Sequence, residues 1–226
     1  MNRLDVSAEI RRVGILPAVR VSSTDDAIFA AYELSQGGIP IIEVTVTDTK
    51  SIDAIAQLVR RNDDVVVGAG EVIHLDVARQ CCEAGAMFLT SPGFDRDVVE
   101  YAREHETFVF PGALTPTEVM AAWRAGSDFV KIFPCANIGG PRYIRALKTP
   151  FPDVPMIASG GVNLETAADF IRAGADALGI GTALVPRESI HLRQASRIRN
   201  LAARYCAIIE ESRKEAEMVR PKEHKK

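Results

Sequence analysis

A strict alternation constrains this chain more than any other feature. From Val13 to about residue 210, short apolar runs of strand length change places with longer stretches of helical period. A chain that alternates in this way builds a parallel sheet covered by helices. The runs are VGILPAV from Val13, PIIEVTV from Pro40, VVVGAG from Val65, MFLTSPG from Met87, TFVFPGA from Thr107, DFVKIFP from Asp128, VPMIASGG from Val154 and DALGIGTAL from Asp176. Between them lie segments such as SIDAIAQLVRR, PTEVMAAWRAGS and LETAADFIRAGA. Several open on an N-cap residue and close on glycine, as helices do.

A repeat fixes the strand count. Glycines at 38, 85, 126 and 174 each stand just ahead of a run, at steps of 47, 41 and 48 residues, and each step spans two βα units. Four double units give eight strands, and eight parallel strands each followed by a helix close into a (β/α)8 TIM barrel. The competing arrangement, an open doubly wound sheet, would carry Gly-x-Gly-x-x-Gly after its first strand, and none stands there. No linker or composition shift marks a second domain, so residues 1–226 read as one barrel, with a charged and flexible tail, KEAEMVRPKEHKK, from about residue 214.

Composition removes whole classes of partner. Thirty acidic side chains against 27 basic ones leave a formal charge of -3, without the positive excess that holds a phosphodiester backbone, so no nucleic acid is expected. No apolar stretch approaches the roughly 18 residues of a membrane span, which points to a cytoplasmic protein without a membrane partner. The four cysteines (Cys81, Cys82, Cys135, Cys206) lack the spacing of a disulfide framework, and the four histidines are scattered, so neither a metal nor a cofactor is expected.

Barrel strands are covered on both faces, which makes a charge in the middle of a strand conspicuous. Of seven lysines, Lys131 alone falls inside a strand. In DFVKIFP the period of two puts Phe129, Lys131 and Phe133 on one face and the β-branched Val130 and Ile132 on the other, which turns Lys131 inward. The same parity in PIIEVTVT turns Ile41, Glu43 and Thr45 inward. Strands two and six are both even-numbered, so the two charges can share a layer of the barrel. One possibility is an ion pair that only satisfies itself. Buried pairs stabilise poorly, however, and burial favours the uncharged, nucleophilic amine that attack on a ketone requires. A carboxylate beside it can move protons between substrate oxygen, water and carbon. Small residues cluster at the last two strand ends, Ser159-Gly160-Gly161 and Gly179-Ile180-Gly181-Thr182, where barrels commonly seat a phosphate on backbone N–H groups.

In order and spacing, IIEVT around Glu43, VGAG at 67–70, TSPG around Pro92, FPG at 110–112, VKIFP around Lys131, SGGV at 159–162 and GIGTALV at 179–185 resemble the 2-keto-3-deoxy-6-phosphogluconate / 4-hydroxy-2-oxoglutarate aldolases. The resemblance covers about Val13 to Pro186. It implies a class I lyase that cleaves a phosphorylated 2-keto-4-hydroxy acid to pyruvate and an aldehyde, with no metal and as a homotrimer. It implies Lys131 as the Schiff-base lysine and Glu43 as the general acid/base. It further implies Pro92 as a backbone contact at the reacting centre, and Gly160, Gly161, Gly181 and Thr182 at the phosphate. The stretch KIFPCANIGGPRYIRALK is similar to phosphogalactonate-specific relatives, which leaves the sugar epimer open.

Two positions depart from the family pattern. Thr47 stands where several members carry arginine, and Glu71 stands where threonine is usual; both positions help to hold the pyruvyl carboxylate in those members. Arg20, in AVRVSS at the end of strand one, is the candidate to take over that carboxylate. Two other functions fit the glycine loops: a phosphosugar isomerase, epimerase or transferase, which needs no inward lysine, and a keto-acid-binding homologue without catalysis.

Overall fold

The computed structural model describes residues 3–61 and 64–219. Nine parallel segments make one sheet: β1 (Ile15–Val19), β2 (Ile41–Thr45), β3 (Val66–Gly70), β4 (Phe88–Thr90), β5 (Phe108–Phe110), β6 (Gly112–Ala113), β7 (Val130–Ile132), β8 (Met156–Ser159) and β9 (Ala177–Ile180). Their lateral order is β5-β4-β3-β2-β1-β9-β8-β7-β6, so the two ends of the row, β5 and β6, are halves of a single strand divided at Pro111. Proline has no N–H to donate, which interrupts the ladder there. The Pro111 carbonyl still accepts the Lys131 N–H at 2.9 Å, and the Val109 carbonyl accepts that of Asp128 at 3.1 Å. The sheet therefore closes on itself as the expected eight-stranded barrel, and β7 is its sixth stave.

The helices between strands are α2 (Thr24–Gln36), α3 (Thr49–Arg61), α4 (Leu75–Glu83), α5 (Arg96–Glu104), α6 (Pro116–Arg124), α7 (Pro141–Lys148) and α8 (Ala167–Arg172), with a short α9 (Arg187–His191) after β9. Their starts are set by side chains that accept otherwise orphaned N–H groups. Ser23 accepts from Asp26, Asp95 accepts from Val98, and Thr115 forms a capping box with Glu118, with Pro116 at the first helical position. Each such cap contributes about 0.5–2 kcal/mol.

Two helices go beyond the alternation seen in the sequence. Helix α1 (Arg3–Val13) precedes the first strand and buries Val6, Ile10 and Val13, while the Arg11 guanidinium lies 5.0 Å from the centre of the Phe129 ring. Phe129 directly precedes β7, so α1 covers the end of the barrel where the strands begin. Helix α10 (Ala195–Val219) buries Ile198, Ala202, Tyr205, Ile209 and Ser212 along one stripe against α2 and α8. The tail expected from 214 is helical as far as Val219, and Glu215 there accepts from Arg172 at 2.7 Å; residues 220–226 lie outside the described residues. Among the described residues no helix is long and apolar enough to cross a membrane.

Phe88, Phe110 and Phe129 fill the lower barrel, Phe88 stacked on Phe110 with ring centres 5.3 Å apart and Phe129 edge-on to Phe110 at 5.1 Å. Such pairs add to the burial of their large apolar areas. With the bottom packed by aromatic rings, the polar inward residues are confined to the opposite end, where the strands finish.

Candidate active site

At that end the strand termini surround a cavity of about 480 Å³. The parity expected from the sequence holds: Glu43 and Lys131 line the cavity, whereas Ile42, Val44, Val130 and Ile132 are fully buried against the helix layer. Lys131 is 8% exposed and Glu43 3%, and Lys131 Nζ lies 3.8 Å from Glu43 Oε1. That gap exceeds a hydrogen bond, so the two attract each other without being joined. Nζ donates instead to Thr90 Oγ1 at 3.2 Å and stands 5.8 Å from the centre of the Phe133 ring. Burying both ions costs more hydration than an unbonded contact restores, so the pair is a poor source of stability. Its geometry suits another use, because a substrate atom set to one side of the line from Nζ to Oε1 can reach both.

Local sequence makes room for the pair. In the lateral register Glu43 lies beside Ala18 and Gly68, both small, and Lys131 lies between Gly112 and Ile157. Gly70 is the tightest fit, since a Cβ there would stand 2.1 Å from Glu43 Oε1.

Of the other residues singled out in the sequence, Arg20, Glu71, Pro92, Phe133, Gly160, Gly161, Gly181 and Thr182 all line the same cavity. Gly160 and Gly161 are consecutive left-handed residues, with φ of 87° and 85°, a conformation open to glycine at little cost. Their loop is tied to the one that follows Lys131, because the N–H groups of Cys135 and Ala136 donate to the carbonyls of Ser159 and Gly160 at 2.9 and 3.0 Å. The loop after Lys131 and the loop of Gly160 and Gly161 are therefore held together. Arg20 is bonded through Nη2 to Glu71 Oε1 across the end of β2.

Thr47 does not join them. Its N–H donates to Ser51 Oγ at 3.3 Å at the start of α3, and it faces a neighbouring cavity of about 310 Å³ that shares Arg20 and Arg187 with the first. It stands two residues beyond the end of β2.

The sequence reading omitted Thr90, which touches Lys131, and Arg187, which lines the cavity. Thr90 was within reach of the same parity argument, because Phe88 points into the barrel and Thr90 is two residues on. Arg187 begins α9 and carries no such signal. Thiol chemistry finds no support here: burial pushes the Cys135 thiol up to about 11 and that of Cys81 up to about 12, so both stay protonated near neutral pH.

A buried lysine and glutamate facing each other at the strand ends of an eight-stranded barrel, beside two consecutive left-handed glycines, have the make-up of a lyase that makes and breaks carbon–carbon bonds next to a carbonyl. Residues 6–201 match the family described as KDPG and KHG aldolase, and the chain belongs to that family. It is 32% identical to a 2-dehydro-3-deoxy-phosphogluconate aldolase of Treponema pallidum over 88% of this chain and 95% of the relative. It is 29% identical to the KHG/KDPG aldolase of Escherichia coli strain K12 over 83% of this chain and 88% of the relative. Among solved structures it superposes with a TM-score of 0.82, at 29% identity and over 87% and 96% of the two chains, on KDPG aldolase from Legionella pneumophila, in which pyruvate was captured as a covalent carbinolamine intermediate. The chain is thus an aldolase enzyme, and the isomerase, transferase and non-catalytic readings fall away.

Proposed function

We propose that this barrel cleaves a 2-keto-3-deoxy-6-phospho sugar acid to pyruvate and glyceraldehyde 3-phosphate, with Lys131 as the Schiff-base lysine and Glu43 as the general acid/base. The observation that carries this reading is the 3.8 Å separation of Lys131 Nζ and Glu43 Oε1 within one cavity. Lys131 passes a proton to Glu43, its neutral amine attacks C2 of the ketone, and the C2 oxygen leaves as water after taking one proton from the adding nitrogen and one from Glu43. The resulting iminium withdraws electrons from C3. Glu43 takes the proton of the C4 hydroxyl, the C3–C4 bond breaks with its electron pair moving to C3, and the aldehyde departs as an enamine forms on Lys131. Protonation of the enamine at C3 and addition of water at C2 release pyruvate and restore the free lysine. The phosphate sits at Gly160, Gly161, Gly181 and Thr182, and Pro92 supplies a backbone contact at the reacting centre. The protein works as a cytoplasmic homotrimer, which sedimentation at three times the chain mass checks.

A panel of phosphorylated and unphosphorylated 2-keto-3-deoxy acids, in both the gluconate and galactonate forms, together with 4-hydroxy-2-oxoglutarate, tests the assignment by released pyruvate. The phosphorylated acids are expected to lead in kcat/KM by roughly tenfold to a hundredfold, the worth of hydrogen bonds to a charged group. Release of pyruvate from none of them would refute the proposed substrate.

Arg20 faces the cavity and carries a fork of donors suited to a carboxylate. We assign it to the C1 carboxylate. Arg20→Ala should therefore raise KM about tenfold to a hundredfold, since a charged hydrogen-bonding partner contributes roughly 1.5–3 kcal/mol. An unchanged KM in steady-state assays would remove Arg20 from the site.

A further inference from the structure

We propose that Glu71 is a resident carboxylate that holds Arg20 until substrate binds and is then exchanged for the carboxylate of the substrate, so that this internal competitor sets how strongly the enzyme discriminates acids from neutral ketones. The inference rests on the assignment of Arg20 to the substrate carboxylate.

Three observations support it. Arg20 and Glu71 are bonded side chain to side chain, and both line the cavity that holds Lys131. The bond already has the chemistry expected of Arg20 and substrate, a guanidinium on a carboxylate. The pair is also accessible: the two side chains are 44% and 43% exposed, against 10% and 4% for Lys131 and Glu43. An exposed ion pair is held weakly and reopens readily. Of the two pairs in this cavity, Arg20–Glu71 is the one an arriving anion can part. Finally, Glu71 has φ of 59°, in the left-handed region that non-glycine residues adopt at a cost, immediately after Gly70, whose missing side chain makes room for Glu43. Backbone strain of this kind persists where surroundings hold it, and it gathers at sites of function.

Electrostatics gives the exchange a direction. Lys131 faces Glu43 and Arg20 faces Glu71, so these two carboxylates offset these two cations. A substrate acid must displace Glu71, whereas a neutral ketone need not. Glu71 thus lowers the advantage that a carboxylate gives its bearer, and a residue without charge at 71 would restore it.

The test measures the concentration of pyruvate that half-saturates borohydride trapping on the intact protein, alongside pyruvamide, its neutral analogue. Glu71→Gln should lower the half-saturating pyruvate concentration about tenfold, the scale of a charged hydrogen bond, and leave that for pyruvamide unmoved. In an Arg20→Ala background the same Glu71→Gln change should have no effect on pyruvate, because the competitor then has nothing to occupy. Glu71→Asn, which tolerates the left-handed backbone, serves if the Gln variant folds poorly. A rise in half-saturation for Glu71→Gln would show that Glu71 positions Arg20 and would overturn the proposal. So would a gain that survives in Arg20→Ala, which indicates plain repulsion, or an equal gain for pyruvamide. If Arg20→Ala alone leaves pyruvate saturation unchanged, the carboxylate assignment fails and the proposal with it; the other failures leave that assignment standing.

Discussion

Borohydride added with pyruvate will fix a three-carbon adduct on Lys131, and peptide mass spectrometry will find it there. Only Lys131 among the strand residues is a lysine, and its Nζ faces the cavity with Thr90 as its one hydrogen-bond partner among the described residues. Lys148 is engaged elsewhere, donating to Asp176 and to the Val154 carbonyl at 2.8 Å each. An adduct on Lys148 or Lys50 would end the proposed mechanism. Lys131→Met should abolish cleavage with the barrel still formed. It also strands Glu43, and a buried carboxylate without its partner costs up to about 3–5 kcal/mol. For a chain of this size that lowers Tm by roughly 6–20 °C. Adding Glu43→Gln to Lys131→Met should recover most of that loss, which separates the chemical role of the lysine from its electrostatic one.

Glu43→Gln alone keeps the shape of the side chain and removes its proton, so kcat should fall by roughly 10² to 10⁴. Exchange of the pyruvate methyl protons for deuterium depends on the same group and should fall in parallel. Exchange at the normal rate in this variant would reduce Glu43 to a structural neighbour of Lys131. Glutamine has the shape of glutamate and fits over Gly70 in the same rotamer, so a loss of activity reports on the proton rather than on displacement.

The strands, their number and the inward direction of Lys131 and Glu43 were legible because a period of two is a local property. Six residues around each charge were enough to orient it. The split of the fifth stave was visible only as Pro111, whose meaning depends on which strands flank it. Helix α1 was overlooked although Val6, Ile10 and Val13 recur at helical spacing, because its apolar face is narrow and lies between charges. The Arg20–Glu71 bond joins residues 51 apart across an intervening strand, and no local pattern specifies such a partner. Thr47 lies just ahead of α3, its N–H donating to Ser51 Oγ, and lines the cavity next to the one that holds Lys131, together with Arg20.

The aromatic plug of Phe88, Phe110 and Phe129 separates two kinds of work in the molecule. Cohesion is concentrated below it and recognition above it, so side chains at the strand tips can be exchanged without loosening the interior. Residues 20 and 71 lie just beyond β1 and β3, the strands flanking β2. In engineering terms this makes acid selectivity an adjustable feature of the barrel: two neighbouring tips can be randomised together, while the plug preserves the scaffold on which every variant is compared.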